Sequence, residues 1–194
     1  MIAFEQLVAE ARACQLCAAC MPVSPRPVFQ LHPEAKIVIV SQAPGRKVHE
    51  TGVPFNDASG ERLRAWLGVT RAQLYDPQHF AILPMGLCYP GKGKSGDLPP
   101  RSECAPRWHS QLLTPLYQVE LMLIVGKYAM NWHLPDALGL TEAVRQVDVA
   151  QEKIIPLPHP SPANNRWFAR NPWFEEAVAP ALRARVARLL EKRP

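Results

Sequence analysis

Two groups of residues in this chain have the types and spacing for chemistry. The first is built around His159, framed by prolines in "PLPHPSPANNRWF" (156–168). An imidazole held this stiffly can donate to a leaving group or relay a proton. The polar, basic and aromatic residues after it exceed what a strand-to-helix connection needs. The second group is five cysteines: Cys14, Cys17, Cys20, Cys88 and Cys104. An odd count argues against a disulfide framework. Cys14-x2-Cys17 has the spacing of half a metal site, and Cys88 and Cys104 bracket the Gly/Pro-rich "YPGKGKSGDLPPRSE". Four thiolates can hold a tetrahedral zinc or an iron–sulfur cluster. The alternative is that these are small core residues with no metal, and Cys20 is a spare thiol that could replace Cys14 or Cys17. The segment "GKGKSGD" lacks the spacing G-x4-G-K-[ST], which excludes a nucleotide phosphate loop there.

Something must position these residues. Apolar runs at 36–40, 80–85, 120–125 and 153–157 have the length and continuity of strands covered on both faces. Helical patterns occupy 4–13, 59–67, 106–113 and 127–134, and a last helix starts at 172. Ser59 and Asn171 are candidate N-caps for the second and last of these. Alternating strands and helices predict a doubly wound α/β fold, with ligands bound outside the carboxyl ends of the strands. The unusual residues follow each strand: "SQAPG" (41–45), "GLCYPGKG" (86–93), "GKYA" (126–129) and "HPSP" (159–162). They should converge on one edge of the sheet.

Composition bounds the function. The 194 residues suit one domain, 1–194, and they are 47% hydrophobic and 20% charged. No apolar run approaches the ~20 residues of a membrane span. The acidic N-terminus has no signal-peptide core, so a cytoplasmic protein without a membrane partner is expected, acting as a monomer. The formal charge of +5 permits a polyanionic partner. Basic residues gather at Arg46-Lys47, at Lys92, Lys94 and Arg101, and in the last helix at Arg183, Arg185, Arg188, Lys192 and Arg193. The last set complements a helix dipole. Phe174, and with it Trp173, is expected to pack that helix.

Taken in order, "VIVSQAPG", "TGVPFND" (51–57), the two cysteine pairs and "HPSP" resemble the uracil-DNA glycosylase superfamily, most closely its iron–sulfur branch, family 4. The resemblance covers nearly the whole chain. It implies a three-layer αβα fold with a central, mainly parallel four-stranded sheet. It implies DNA, single- or double-stranded, as partner and hydrolysis of an N-glycosidic bond after base flipping. Phe55 would stack on the extruded base. Gln42 and the backbone at Ala43 would line the pocket beside the sugar. His159 would hydrogen-bond the departing base. Ser161, Asn164, Asn165, Arg166 and Trp167 would engage the minor groove, with Trp167 as wedge, and Lys92 and Lys94 would meet phosphates. Cys14, Cys17, Cys88 and Cys104 would hold a [4Fe-4S] cluster, with zinc or no metal as alternatives.

Three positions depart from the family. Ala43 stands where family 1 enzymes carry a catalytic Asp, as in family 4. Gln42 replaces the Glu usual in family 4. Pro84, four residues before Cys88, stands where the uracil-reading Asn belongs. His49, Glu50, Asn56 and Asp57 are candidate replacement polar groups, with His49 or Asp57 orienting water. The released base thus stays open between uracil and another damaged base. A nucleic-acid-binding module with altered or lost catalysis is the alternative function.

Overall fold

The computed structural model describes residues 3–191. Four parallel strands form the main sheet: β1 (Ile37–Ser41), β2 (Phe80–Pro84), β5 (Leu121–Val125) and β6 (Ile154–Leu157). A small antiparallel hairpin, β3 (Lys92–Gly93) and β4 (Gly96–Asp97), lies between β2 and β5 in sequence. The sheet order is β2-β1-β5-β6. All four apolar runs become strands, within a residue of their expected ends.

The helices are α1 (Phe4–Arg12), α2 (Arg46–Thr51), α3 (Ala58–Leu67), α4 (Arg71–Leu74), α5 (Cys104–Leu113), α6 (Lys127–His133), α7 (Leu140–Gln146), α8 (Asn165–Arg170) and α9 (Ala179–Glu191). Alternate strand residues point to opposite faces, and both faces are buried. Ile37, Ile39, Phe80, Ile82, Leu121, Leu123 and Ile155 pack under α3 and α9. Val38, Val40, Ala81 and Ile124 pack under α5 and α6. Leu7 and Ala11 of α1 join Trp108 and Leu112 of α5 on that second side. This is the three-layer αβα arrangement.

Two capping expectations are corrected. Asp57, not Ser59, caps α3, its Oδ1 accepting from the N–H of Gly60 at 3.0 Å. Ser59 is buried inside the helix. Asn171 does not cap the last helix with its side chain. Its amide donates to the Trp167 carbonyl (2.8 Å) and accepts from the Trp173 indole (3.1 Å). That helix enters through a π-helical turn, Phe174–Val178. Phe174, Val178, Leu182, Val186 and Leu189 are buried, as its period requires. Arg183 donates to the Ala65 carbonyl at 2.8 Å and Arg185 to that of Val149 at 2.6 Å. These cations fasten α9 to its neighbours. Lys192 and Arg193 lie outside the described residues.

Candidate active site and thiol cavity

The four strand ends open into one cleft of about 710 Å³. Gln42 and Ala43 enter it from β1, Pro84 from β2, Lys127 and Tyr128 from β5, and His159 and Ser161 from β6. The convergence inferred from the sequence is therefore present. Residues 95–100, from the hairpin and the segment after it, form a further wall.

His159 is held by its own loop. The backbone N–H of Ser161 donates to Nδ1 at 3.2 Å, and the Asn164 amide donates to the His159 carbonyl at 2.8 Å. Because Nδ1 accepts, the proton of the neutral ring sits on Nε2. No group among the described residues accepts from Nε2, which is left for a ligand. Burial pushes the imidazole down to about 4, against a smaller upward pull from Asp57. The ring is neutral at pH 7 and remains a donor.

Phe55 has a positive φ of 51°, the one non-glycine in that region among the described residues. A bulky residue there is strained and held by its surroundings. Two contacts do the holding. The Tyr75 hydroxyl donates to the Pro54 carbonyl at 2.8 Å. The start of α3 presses on the turn so closely that a Cβ on Gly60 would lie 1.7 Å from the Phe55 oxygen. Phe55 is only 8% exposed, and it lines the cleft while also joining the core beneath. Asp57 stands beside it, electrostatically coupled to His159. Gln42 lies against Gly126, whose φ is +85° and where a Cβ would meet Nε2 at 2.8 Å.

Several expected site residues are elsewhere. His49 and Asn56 do not line the cleft. The His49 ring packs on Tyr89, with centroids 5.9 Å apart. Helix α2 turns the residue away, so it is not placed to orient water. Trp167 is not a projecting wedge. It sits in α8, its indole donates to the Thr141 hydroxyl at 2.8 Å, and it packs edge-on against Phe168, Trp173 and Phe174. Asn165 accepts from Arg62 at 2.8 Å. The exposed tip of this segment is Pro162-Ala163, with Arg166 also exposed. Lys92 and Lys94 are exposed on the hairpin. Lys127, missed as a site residue, is the only lysine among the described residues that lines the cleft. Its one sequence signal was its position directly after a strand and a glycine.

Trp167→Ala is expected to act as a packing change. Deleting a half-buried indole from an aromatic cluster should cost about 3 kcal/mol of stability. Urea denaturation checks this. Unchanged stability with a selective loss of duplex binding would restore the wedge role.

The four expected thiols share a second, smaller cavity. Cys14, Cys17, Cys88 and Cys104 all line it, whereas Cys20 is exposed and does not. Two of the four accept a hydrogen bond at measured distance: Trp108 donates to Cys14 (3.4 Å) and the Leu87 backbone to Cys104 (3.3 Å). Arg101 and the Arg26 backbone favour the thiolates of Cys17 and Cys88. Burial, reinforced by neighbouring thiols, raises Cys17, lifts Cys88 to about 12 and lifts Cys104 to about 11. Among the described residues no group of three or more His, Cys, Asp or Glu is arranged to hold a single metal ion. A cluster spreads its thiolates more widely than one ion does, and donors aimed at sulfur are the usual outer shell of such ligands. Four thiols with donors directed at sulfur are a donor set that can hold a sulfur-ligated metal centre, cluster or zinc.

A parallel sheet with a cleft at its carboxyl edge, lined by a proline-framed imidazole and a strained aromatic, defines an α/β protein of three layers. Residues 29–183 match the family model described as the uracil DNA glycosylase superfamily, and the chain belongs to that superfamily.

Proposed function

We propose that this protein is a monofunctional DNA base-excision glycosylase, akin to the family 4 branch and acting on uracil or another altered base. The observation that carries this reading is His159: a neutral ring whose Nδ1 accepts from Ser161 and whose Nε2–H is free at the cleft. Membership of the superfamily supports the reaction class and DNA as partner.

A base inside a duplex cannot be reached, so it must be extruded into the cleft. Phe55 then offers its ring for stacking. As the N-glycosidic bond breaks, electrons move onto the base and positive charge grows on the sugar. The Nε2–H of His159 donates to the base oxygen that gains charge, and it does so without reorganising. Water attacks the anomeric carbon, its proton passing to solvent. Asp57 orients that water through the oxygen not committed to Gly60, which lies toward Gly45. Gln42 stays neutral and contributes polarity rather than charge. The exposed Pro162-Ala163 tip is suited to fill the space the base leaves.

Cys14, Cys17, Cys88 and Cys104 would hold a [4Fe-4S] cluster that cross-links the N-terminal segment to the start of α5. Its contribution would be structural, because the thiols line a cavity separate from the cleft. No step of base release passes through it.

The test is incubation with labelled oligonucleotides, single- and double-stranded, each carrying one altered base. Release of a free base, leaving an abasic site, is expected. If no base is released, the binding-module reading replaces this one. Binding itself should be salt-dependent, with a log–log slope of roughly −3 to −5 on duplex DNA, for about three to five phosphates neutralised. Lys127→Ala should make that slope shallower by about one. An unchanged slope would remove Lys127 from the phosphate contacts.

A further inference from the structure

We propose that the cleft selects an N-alkylated base over uracil, because Pro84, at the strand end opposite His159, offers a base neither a donor nor an acceptor. This rests on the glycosylase reading above and names its substrate class. The strand order β2-β1-β5-β6 puts Pro84, at the end of β2, and His159, just after β6, on opposite sides of the cleft. A base seated between them turns one edge to His159 and the other to Pro84.

Every polar group of Pro84 itself is accounted for. Its side chain has no donor or acceptor, and its ring removes the backbone N–H. Its carbonyl is turned into the protein, 2.9 Å from Nε2 of His109, a ring 1% exposed. Of its cleft-lining neighbours, Val28 and Ile82 are apolar, and Ser41, its register partner on β1, carries a hydroxyl and is 5% exposed. The adjacent carbonyls of Ser41 and Gln42 already accept from the N–H groups of Met85 and Gly86, each at 2.9 Å.

Uracil brings a polar N–H and a carbonyl to such an edge. Each group buried there without a partner lowers affinity by roughly 10-fold or more. Replacing that N–H with N–CH3 removes an unpaired donor and adds apolar contact with Pro84 and Ile82. The oxygen that His159 addresses is retained. A cleft of about 710 Å³ has room for the methyl group.

The matched pair of probes is uracil and N3-methyluracil, which differ only by a methyl at this edge, with hypoxanthine as an unmethylated deaminated base. Single-turnover release of N3-methyluracil should exceed that of uracil by roughly 10-fold or more. Faster release of uracil or hypoxanthine overturns this inference and leaves the glycosylase reading standing. Release of none of the three, nor of any other altered base, overturns that reading and this inference with it. Pro84→Asn supplies an amide and should reverse the preference. Pro84→Ala restores only the backbone N–H and should keep the preference for the methylated base. Thermal melting of both variants identifies any that fail to fold. A folded Pro84→Asn protein with the wild-type ratio would overturn the role of position 84.

Discussion

Replacing His159 with Ala is expected to slow single-turnover base release by about 10²-fold or more, the usual scale for one preorganised donor. Binding to DNA should hardly change, because phosphate contacts dominate that free energy. The split between rate and affinity is the informative readout. A merely structural histidine would lower both through loss of fold. The neutral state of the ring adds a pH signature. His159 and His133 are each pushed by burial to about 4, and burial also lowers His109. These folded-state values lie below the ordinary histidine value near ~6.5. Between about 4 and 6.5 the unfolded chain therefore binds more protons than the native one. Stability should be fully present above pH ~6.5 and fall as the pH drops through that window. Urea titrations across it check the sign. A His159→Ala protein with wild-type release would leave the superfamily assignment intact and remove the catalyst.

Cys104→Ser should give the second large effect. Anaerobically purified wild-type protein should be brown, with broad absorbance near ~400 nm, as for iron held by thiolates. The variant should be colourless. Binding energy at a structural metal centre is folding energy, so the melting temperature should drop by roughly 10 °C or more. Cys20→Ser should keep both colour and stability, because Cys20 lies outside the cavity. Wild-type protein that carries neither iron nor zinc would falsify the metal centre. Zinc without iron would change the cofactor alone.

Much of the site was legible because its signals are local. Proline restricts the backbone on both sides of His159, so "HPSP" announces a stiff turn whatever surrounds it. Continuous apolar runs announced buried parallel strands, and their order placed His159, Gln42 and Pro84 at one edge. The cysteine pairs were legible by their spacing, but Cys20, three residues after Cys17, could have replaced Cys14 or Cys17; the cavity is lined by Cys14, Cys17, Cys88 and Cys104 and not by Cys20.

Other features depend on what packs where. Trp167 and Phe168 follow a polar turn, and their sequence does not distinguish a wedge from a packed cluster. The Thr141 hydroxyl and the Phe174 ring, distant in the chain, decide it. His49 lies on a six-residue helix, too short to carry a period that would show its facing direction. Lys127 looked like any helix-start lysine until β5 was placed between β1 and β6. The left-handed backbone of Phe55 has no local cause in its own side chain. It exists because α3 closes on the turn at Gly60. Sequence by itself determined the strands, the stiff histidine and the cysteine pairs, since covalent restriction, hydrophobic period and spacing act over a few residues. Tertiary structure alone decided which side chains face the cleft. That choice is made by burial and hydrogen bonds between segments tens of residues apart.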